Sequence, residues 1–388
     1  MANTKMILLN MGAEDEYLTG NPEHTFFKQG IKQYTYFGQN WNISSPNFSE
    51  VPNFFKPKCK YSYRLPVQGD IISDMVLRIG IHDNGECISG SGDVCPYNII
   101  KKIELRYNDL VLSSLDINYI NIFYELSSDI KTKKPHIWDK TRGYFHLPLP
   151  FWFTRNPGSS LPIWLLNNPQ LTVHIETGNW DNTGIPNIQI DILSLYTNLT
   201  TNEKDTFKHS SLEYLIEQVD ICNTIDIENS SKCITVDLPE TKFIKYLAWN
   251  IGPNNCANVA CSGTGCILDM SDNYINNSNI LLNGNSLSGD MSPHQTLLIN
   301  RHCYFKTPYY TYDHPYKKTC PVHTYSFSLN PNTFQSTGFL TSDKFNTFKL
   351  KLDISPPTGD NNKRTLYTYA IKNNIMRIKD GQLELLYN

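Results

Sequence analysis

The sequence predicts an all-β protein of two β-sandwiches or barrels in tandem. Apolar residues recur with a period of two along many short segments, turn-forming residues separate those segments, and helical patterning is rare. The chain has 388 residues, enough for two domains of about 150–200 residues each. Tyr (23), Phe (18), Pro (22) and Gly (21) are frequent; aromatic residues favour strands, and Gly and Pro favour turns. The abundant Asn, Ile, Lys and Tyr equally fit an AT-rich genome.

The clearest strands come in chain order. In Thr172-Val173-His174-Ile175-Glu176 the apolar residues alternate with polar ones. Ile188, Ile190 and Ile192 alternate with Asn187, Gln189 and Asp191, and Phe348 to Ile354 places Leu350 and Leu352 between lysines and an aspartate. Each reads as a strand with one buried face. Ile375 to Ile378 and Leu383 to Leu385 flank Asp380-Gly381, a pair suited to the positive φ angles of a type I′ hairpin turn. The best helical segment is Asn202 to Gln218, where Glu203-Lys204-Asp205 precede Leu212, Tyr214, Leu215 and Ile216. Strand patterning stops near Tyr196 and resumes near Ile221, so the polar stretch Thr197 to Ser211 marks a boundary between halves of similar size. No parallel βαβ pattern points to a Rossmann or TIM architecture, and no close internal repeat is visible.

Composition and motifs exclude several function classes. Charged residues make up 18% and the net charge is -3, which argues against binding nucleic acid through a general basic field. No segment approaches the ~18–20 apolar residues of a membrane span. The run Met6-Ile7-Leu8-Leu9 is too short for a signal-peptide core, so the ten cysteines are expected to be mostly reduced. Gly90-Ser91-Gly92-Asp93 lacks the strand and helix of a phosphate-binding loop and reads as a turn. No Gly-x-Ser-x-Gly elbow, His-Glu-x-x-His helix or Cys-x-x-Cys pair occurs. Cys256, Cys261 and Cys266, spaced by five in a Gly/Asn-rich stretch, read as loop thiols or one local disulfide before they read as a metal site. His302, Cys303, Cys320 and His323 make a constellation only on paper, since their spacing fits no standard zinc module. Glu176, Asp191 and Asp353 are candidates for the paired carboxylates of a glycosidase, but strand surfaces always carry carboxylates and no pair stands out. Five Asn-x-Ser/Thr sequons, at Asn42, Asn47, Asn198, Asn229 and Asn276, are close to chance in an Asn-rich chain. No catalytic, cofactor-binding or metal residue is expected.

Local chemistry gives other residues a structural reading. Pro148 and Pro150 exclude central ladder pairing around a short segment. Phe151, Trp152 and Phe153 supply large apolar area for a core or a subunit interface. Arg155 is placed to bond carbonyls or a carboxylate and fix the turn made by Asn156-Pro157-Gly158.

Five segments, in order, resemble the major capsid proteins of nucleocytoplasmic large DNA viruses. Tyr17 to Lys28, with Asn21, Pro22, Phe26, Phe27 and Lys28, is similar to the family's "GNPxxTFFK" and is followed by the aromatic Tyr34-Thr35-Tyr36-Phe37. Leu147 to Pro162, with Phe151, Trp152, Phe153, Arg155, Asn156, Pro157 and Gly158, resembles "PFWFxRNPGxxLP". Glu213 to Val219, including Glu217 and Gln218, matches "EYLIEQV", the opening of the family's second jelly roll. Tyr325-Ser326-Phe327 through Gly338 is similar to "YSFALxPxxxQPSG", and Asn374 to Tyr387 resembles the C-terminal strand pair. Cys256 to Ser292 reads as a loop specific to this chain.

The resemblance implies two tandem antiparallel eight-stranded jelly rolls with few short helices. It implies an N-terminal arm over 1–24, a first roll over 25–200, a linker with a short helix over 201–215 and a second roll over 216–388. It further implies a non-enzymatic virion capsid protein, without cofactors, assembled in the host cytoplasm. Homotrimers would form pseudo-hexagonal capsomers that tile an icosahedral shell. Partners would be the chain itself, neighbouring capsomers, minor capsid proteins and, through the arm, an underlying internal membrane, with no direct nucleic-acid contact. Two alternatives are a minor or paralogous capsid protein of the same fold, separable by copy number in virions, and a carbohydrate-binding or carbohydrate-active β-sandwich protein, which would be a monomer with an aromatic cleft.

Overall fold

The structure, a computed structural model, describes residues 6, 12–23, 25–28, 30–46, 55–83, 86–87, 99–127, 137–139, 144–167, 171–178, 187–208, 212–228, 231–253, 274–307, 321–355 and 364–387. The chain divides into two units, Met1–Tyr36 and Phe37–Asn388. The first contains one helical turn, α1 (Glu16–Thr19), with no buried residue. Tyr17, Leu18, Phe26, Phe27, Ile31, Tyr34 and Tyr36 in this unit are all exposed. Among the described residues the first strand begins at Phe37.

The second unit holds both rolls. The first has eight principal strands: β1 (Phe37–Ser44), β2 (Lys60–Arg64), β3 (Ile71–Asp83), β4 (Ile100–Tyr107), β5 (Leu110–Asp116), β6 (Tyr144–Pro148), β7 (Leu171–Thr177) and β8 (Asn187–Leu199). Helix α2 (Ile117–Ser127) follows β5, and α3 (Trp152–Arg155) follows β6. Helix α4 (Thr201–Lys208) leads to the second roll: β9 (Leu212–Ile221), β10 (Cys233–Asp237), β11 (Ile244–Pro253), β12 (Ile275–Leu282), β13 (Asn285–Ser286), β14 (His323–Ser326), β15 (Phe348–Ile354) and β16 (Arg364–Lys379). The sheets of the first roll run β1-β8-β3-β6 and β2-β7-β4-β5. Those of the second run β9-β16-β11-β14 and β10-β15-β12-β13. Strand for strand the wiring repeats, and all these pairings are antiparallel. Short extra strands extend one sheet of each roll to seven and to six strands. This is the double jelly roll, in which each sandwich buries the inner faces of two sheets.

Alternation decides which side chains meet. In the first roll Leu77, Ile79, Ile188, Ile190 and Ile192 from one sheet share a core with Ile103, Leu105, Val173 and Ile175 from the other. In the second, Leu247, Trp249 and Ala370 face Ile280, Leu350 and Leu352. The expected hairpin closes with Lys379 opposite Gln382, and Asp380 and Gly381 have φ of 51° and 79°.

Three local expectations change. The helix expected over Asn202 to Gln218 stops at Lys208, and Leu212, Tyr214 and Ile216 instead lie in β9. Pairing with β16 along all ten residues of β9 supplies the ladder bonds that outweigh a weak helical stripe. The span Cys256 to Ser292 is not wholly loop, since β12 and β13 lie within it. Ile275 and Ile280 are buried there, and Asn283-Gly284, with φ of 51° and 79°, turns the chain between the two strands; residues 254–273, with their three cysteines, lie outside the described residues. Helix α2 is also new. Asp116 starts it, with its Oδ1 accepting from the Tyr119 N–H at 3.2 Å.

Candidate functional site: the junction of the two rolls

The residues from Leu147 to Gly158 build one side of the junction. Leu149 donates its N–H to the Met75 carbonyl at 3.0 Å and is the last residue held to β3 before Pro150. Phe151, Trp152 and Phe153 are buried, with the Phe151 and Phe153 rings stacked at 5.5 Å and Trp152 edge-on to Phe153 at 5.2 Å. Asn156 Oδ1 accepts from the Gly158 N–H at 2.8 Å, and Pro157 opens a 3₁₀ turn. The Ser159 hydroxyl donates to the Trp152 carbonyl at 3.0 Å. These bonds hold α3 rigidly, and α3 ends on Arg155.

Arg155 forms an ion pair with Glu217 of β9, and Lys245 of β11 takes the other carboxylate oxygen. The Arg155 guanidinium lies 4.7 Å over the Phe123 ring of α2. Lys245, fully buried, also donates to the Thr333 carbonyl at 3.0 Å. Burial opposes the charge on Glu217, but Arg155 and Lys245 outweigh it and hold the carboxyl below its ordinary range. Gln218 donates to the Leu112 carbonyl of β5 at 2.8 Å and accepts from Asn374 at 2.8 Å. Thus residues 151–158 and 217–218, distant in sequence, meet across the junction.

Further contacts complete it. Arg301, buried, donates to a Glu125 carboxylate oxygen at 2.9 Å and to its carbonyl at 2.8 Å. The Tyr369 hydroxyl donates to Asp116 Oδ2 at 2.8 Å, and the Tyr119 and Tyr369 rings lie 5.7 Å apart. Asn332 donates to the Leu126 carbonyl at 3.0 Å. Tyr246, Ala248, Tyr369 and Ile371 belong to the same core as the first roll, whereas their neighbours Leu247, Trp249 and Ala370 belong to the core of the second. The sheet β9-β16-β11-β14 is therefore buried on both faces. Beside Arg155 and Glu217 the junction leaves a cavity of about 380 Å³, also lined by Trp152 and Phe334.

Other residues singled out by sequence lie elsewhere. Asn21, Pro22, Phe26, Phe27 and Lys28 belong to the N-terminal unit. Tyr325 and Phe327 pack edge-on at 5.1 Å against the core of the second roll. Gly338 has φ of 142°, and a Cβ there would stand 2.7 Å from the Phe327 carbonyl oxygen. The three candidate carboxylates fall on three different sheets. Asp191 pairs with Arg78 at 2.7 Å and Glu176 with Lys101 at 2.7 Å, while Asp353 lies on β15. His302 and Cys303 are exposed, whereas His323 is buried with Nδ1 2.7 Å from the Thr296 hydroxyl; Cys320 lies outside the described residues. Burial lowers the His323 pKa to about 3, so the ring is neutral. Cys59, Cys222, Cys233 and Cys303 are free thiols.

Sequence reasoning missed Lys245, the Glu125–Arg301 pair and the Asp116–Tyr369 bond. Lys245 carried a signal, since it interrupts the apolar run Phe243 to Trp249 where a lone charge requires a partner.

Comparison with known proteins decides the family. A family model described as "Major capsid protein N-terminus" matches residues 25–217, and one described as "Large eukaryotic DNA virus major capsid protein" matches residues 203–383. The chain belongs to the major capsid proteins of the nucleocytoplasmic large DNA viruses. It is 25% identical to the major capsid proteins of Pyramimonas orientalis virus and of Paramecium bursaria Chlorella virus 1, with both chains covered in full in each case. In fold it resembles a chain of the PBCV-1 virus capsid, with a TM-score of 0.77 at 19% identity over 94% of this chain and 100% of that one. It likewise resembles the Faustovirus major capsid protein, with a TM-score of 0.66 at 11% identity over 95% and 94%. As a major capsid protein the chain is a structural component of the virion capsid. The junction of its rolls is accordingly read as architecture, with its charges spent on fixing one roll against the other.

Proposed function

We propose that the chain assembles into a homotrimer whose six jelly rolls form a pseudo-hexagonal capsomer, and that such capsomers tile an icosahedral shell. The observation that carries this reading is the repeated wiring of two rolls joined by a buried junction. Two similar blocks held at a fixed angle, repeated by a threefold axis, give a near-sixfold outline suited to tiling. Phe151 to Gly158, Glu217 and Gln218 serve to set that angle, and Tyr325, Phe327 and Gly338 shape the segment after β14. An obligate trimer interface of this kind buries more than ~2,000 Å².

The N-terminal unit, with Phe26, Phe27 and Tyr34 exposed, acts as an arm toward minor capsid proteins or an underlying membrane. The role is structural, with no catalytic residue. The net charge of -3 disfavours direct contact with the packaged nucleic acid. Assembly takes place in the host cytoplasm. Negative-stain electron microscopy of the purified chain tests the proposal. Six-lobed particles with threefold symmetry are expected; isolated two-lobed particles at every concentration would overturn it.

A further inference from the structure

We infer that the cavity at the junction of the two rolls binds a small organic monocarboxylate, with its charged group on Arg155 and its apolar body against Phe123, Trp152, Leu215 and Phe334. The inference goes beyond assembly and holds whether or not the chain forms trimers. The cavity, of about 380 Å³, lies between the rolls: Phe123, Trp152 and Arg155 come from the first, and Leu215, Glu217 and Phe334 from the second. Ser127 and Asn332, both exposed, also line it, so it reaches the surface. An apolar cavity of this size with a few convergent polar groups suits a small organic molecule.

Charge selects an anion. Arg155 and Lys245 share the single carboxylate of Glu217, so the cluster carries one positive charge in excess. The other buried pair of the junction, Arg301 and Glu125, is neutral as a pair. Arg155 gives Nη1 to Glu217 and lays its guanidinium over the Phe123 ring at 4.7 Å. Among the described residues nothing accepts from its Nε or Nη2. Two adjacent free donors of an arginine meet a carboxylate through two parallel hydrogen bonds.

Trp152 adds a second, independent sign. It is 3% exposed, and its Nε1–H has no acceptor among the described residues. A buried donor left unpaired is costly, and a carboxylate oxygen is the acceptor that this wall lacks. One excess charge beside aromatic walls favours a monoanion with an apolar body over phosphate or sulfate, whose higher charge is costlier to desolvate. A ligand held by residues of both rolls stabilises the folded chain.

Isothermal titration calorimetry on the full chain tests this with octanoate, with octanol as the same body without the charge, and with acetate as the charge without the body. One octanoate per chain is expected to bind and to raise the melting temperature, with octanol and acetate weaker by about tenfold or more. Arg155→Lys keeps a cation beside Glu217 but loses the fork, and Leu215→Trp fills the cavity while leaving every charge in place. Circular dichroism checks that each variant folds, and both are expected to weaken octanoate by about tenfold or more. No saturable binding of octanoate overturns the site, and so does binding that survives Leu215→Trp. Octanol as tight as octanoate, or a folded Arg155→Lys with unchanged affinity, overturns the anion, and acetate as tight as octanoate overturns the apolar body. Should Arg155→Lys fail to fold, Leu215→Trp and the octanol comparison decide.

Discussion

Glu217 holds two cations on one buried carboxylate, Arg155 from the first roll and Lys245 from the second. Removing its charge leaves both cations uncompensated, a situation that costs about 3–5 kcal/mol. Glu217→Gln is expected to lose that much stability in chemical denaturation; a loss below about 1 kcal/mol would contradict the role given to the cluster. Glu217 and His323 both contribute to the acid limit. The folded pKa of Glu217 lies below its ordinary 4.5, so its contribution is complete above that value and disappears as pH falls through the lower folded one. His323 has a folded pKa of about 3 against an ordinary 6.5. Its neutral burial therefore stabilises fully above pH 6.5 and progressively less down toward pH 3. Melting temperature is expected to fall between pH 6.5 and 4, and His323→Gln is expected to flatten that slope. An unchanged slope would show that the ring does not titrate on unfolding.

At the scale of elements, Gly338 is required by its backbone. Its φ of 142° and the Phe327 carbonyl 2.7 Å from a would-be Cβ both exclude a side chain. Gly338→Ala is expected to cost about 1–3 kcal/mol, read as a drop in melting temperature; no drop would mean that the turn re-forms freely. Strands with one wet face were legible because alternation survives in Phe348–Ile354 and Asn187–Leu199. Helix α2 was not, for a physical reason. It lies between the two rolls, so Ile117, Tyr119, Ile120, Ile122, Phe123 and Leu126 are buried around most of its circumference, and no polar stripe marks it as helical. Strand β12 was hidden by Asn276, Asn277 and Asn279, which read as turn residues.

For the whole molecule, the continuity of the first core into the second roll's sheet has a thermodynamic consequence. Neither roll can unfold without exposing Tyr246, Tyr369 and Ile371 to water. Calorimetry is expected to show one transition with equal calorimetric and van't Hoff enthalpies; two resolved transitions would contradict a shared core. The junction was half legible in sequence. Arg155 was recognisable as a residue in need of an acceptor, but its acceptor was not, because Glu217 is brought to it only by folding of the second roll.

The central claim is that this two-roll block is one third of a capsomer. Light scattering across a range of concentrations measures it directly. The account predicts a stable species near three times 44.5 kDa. A chain that stays at 44.5 kDa throughout would contradict it.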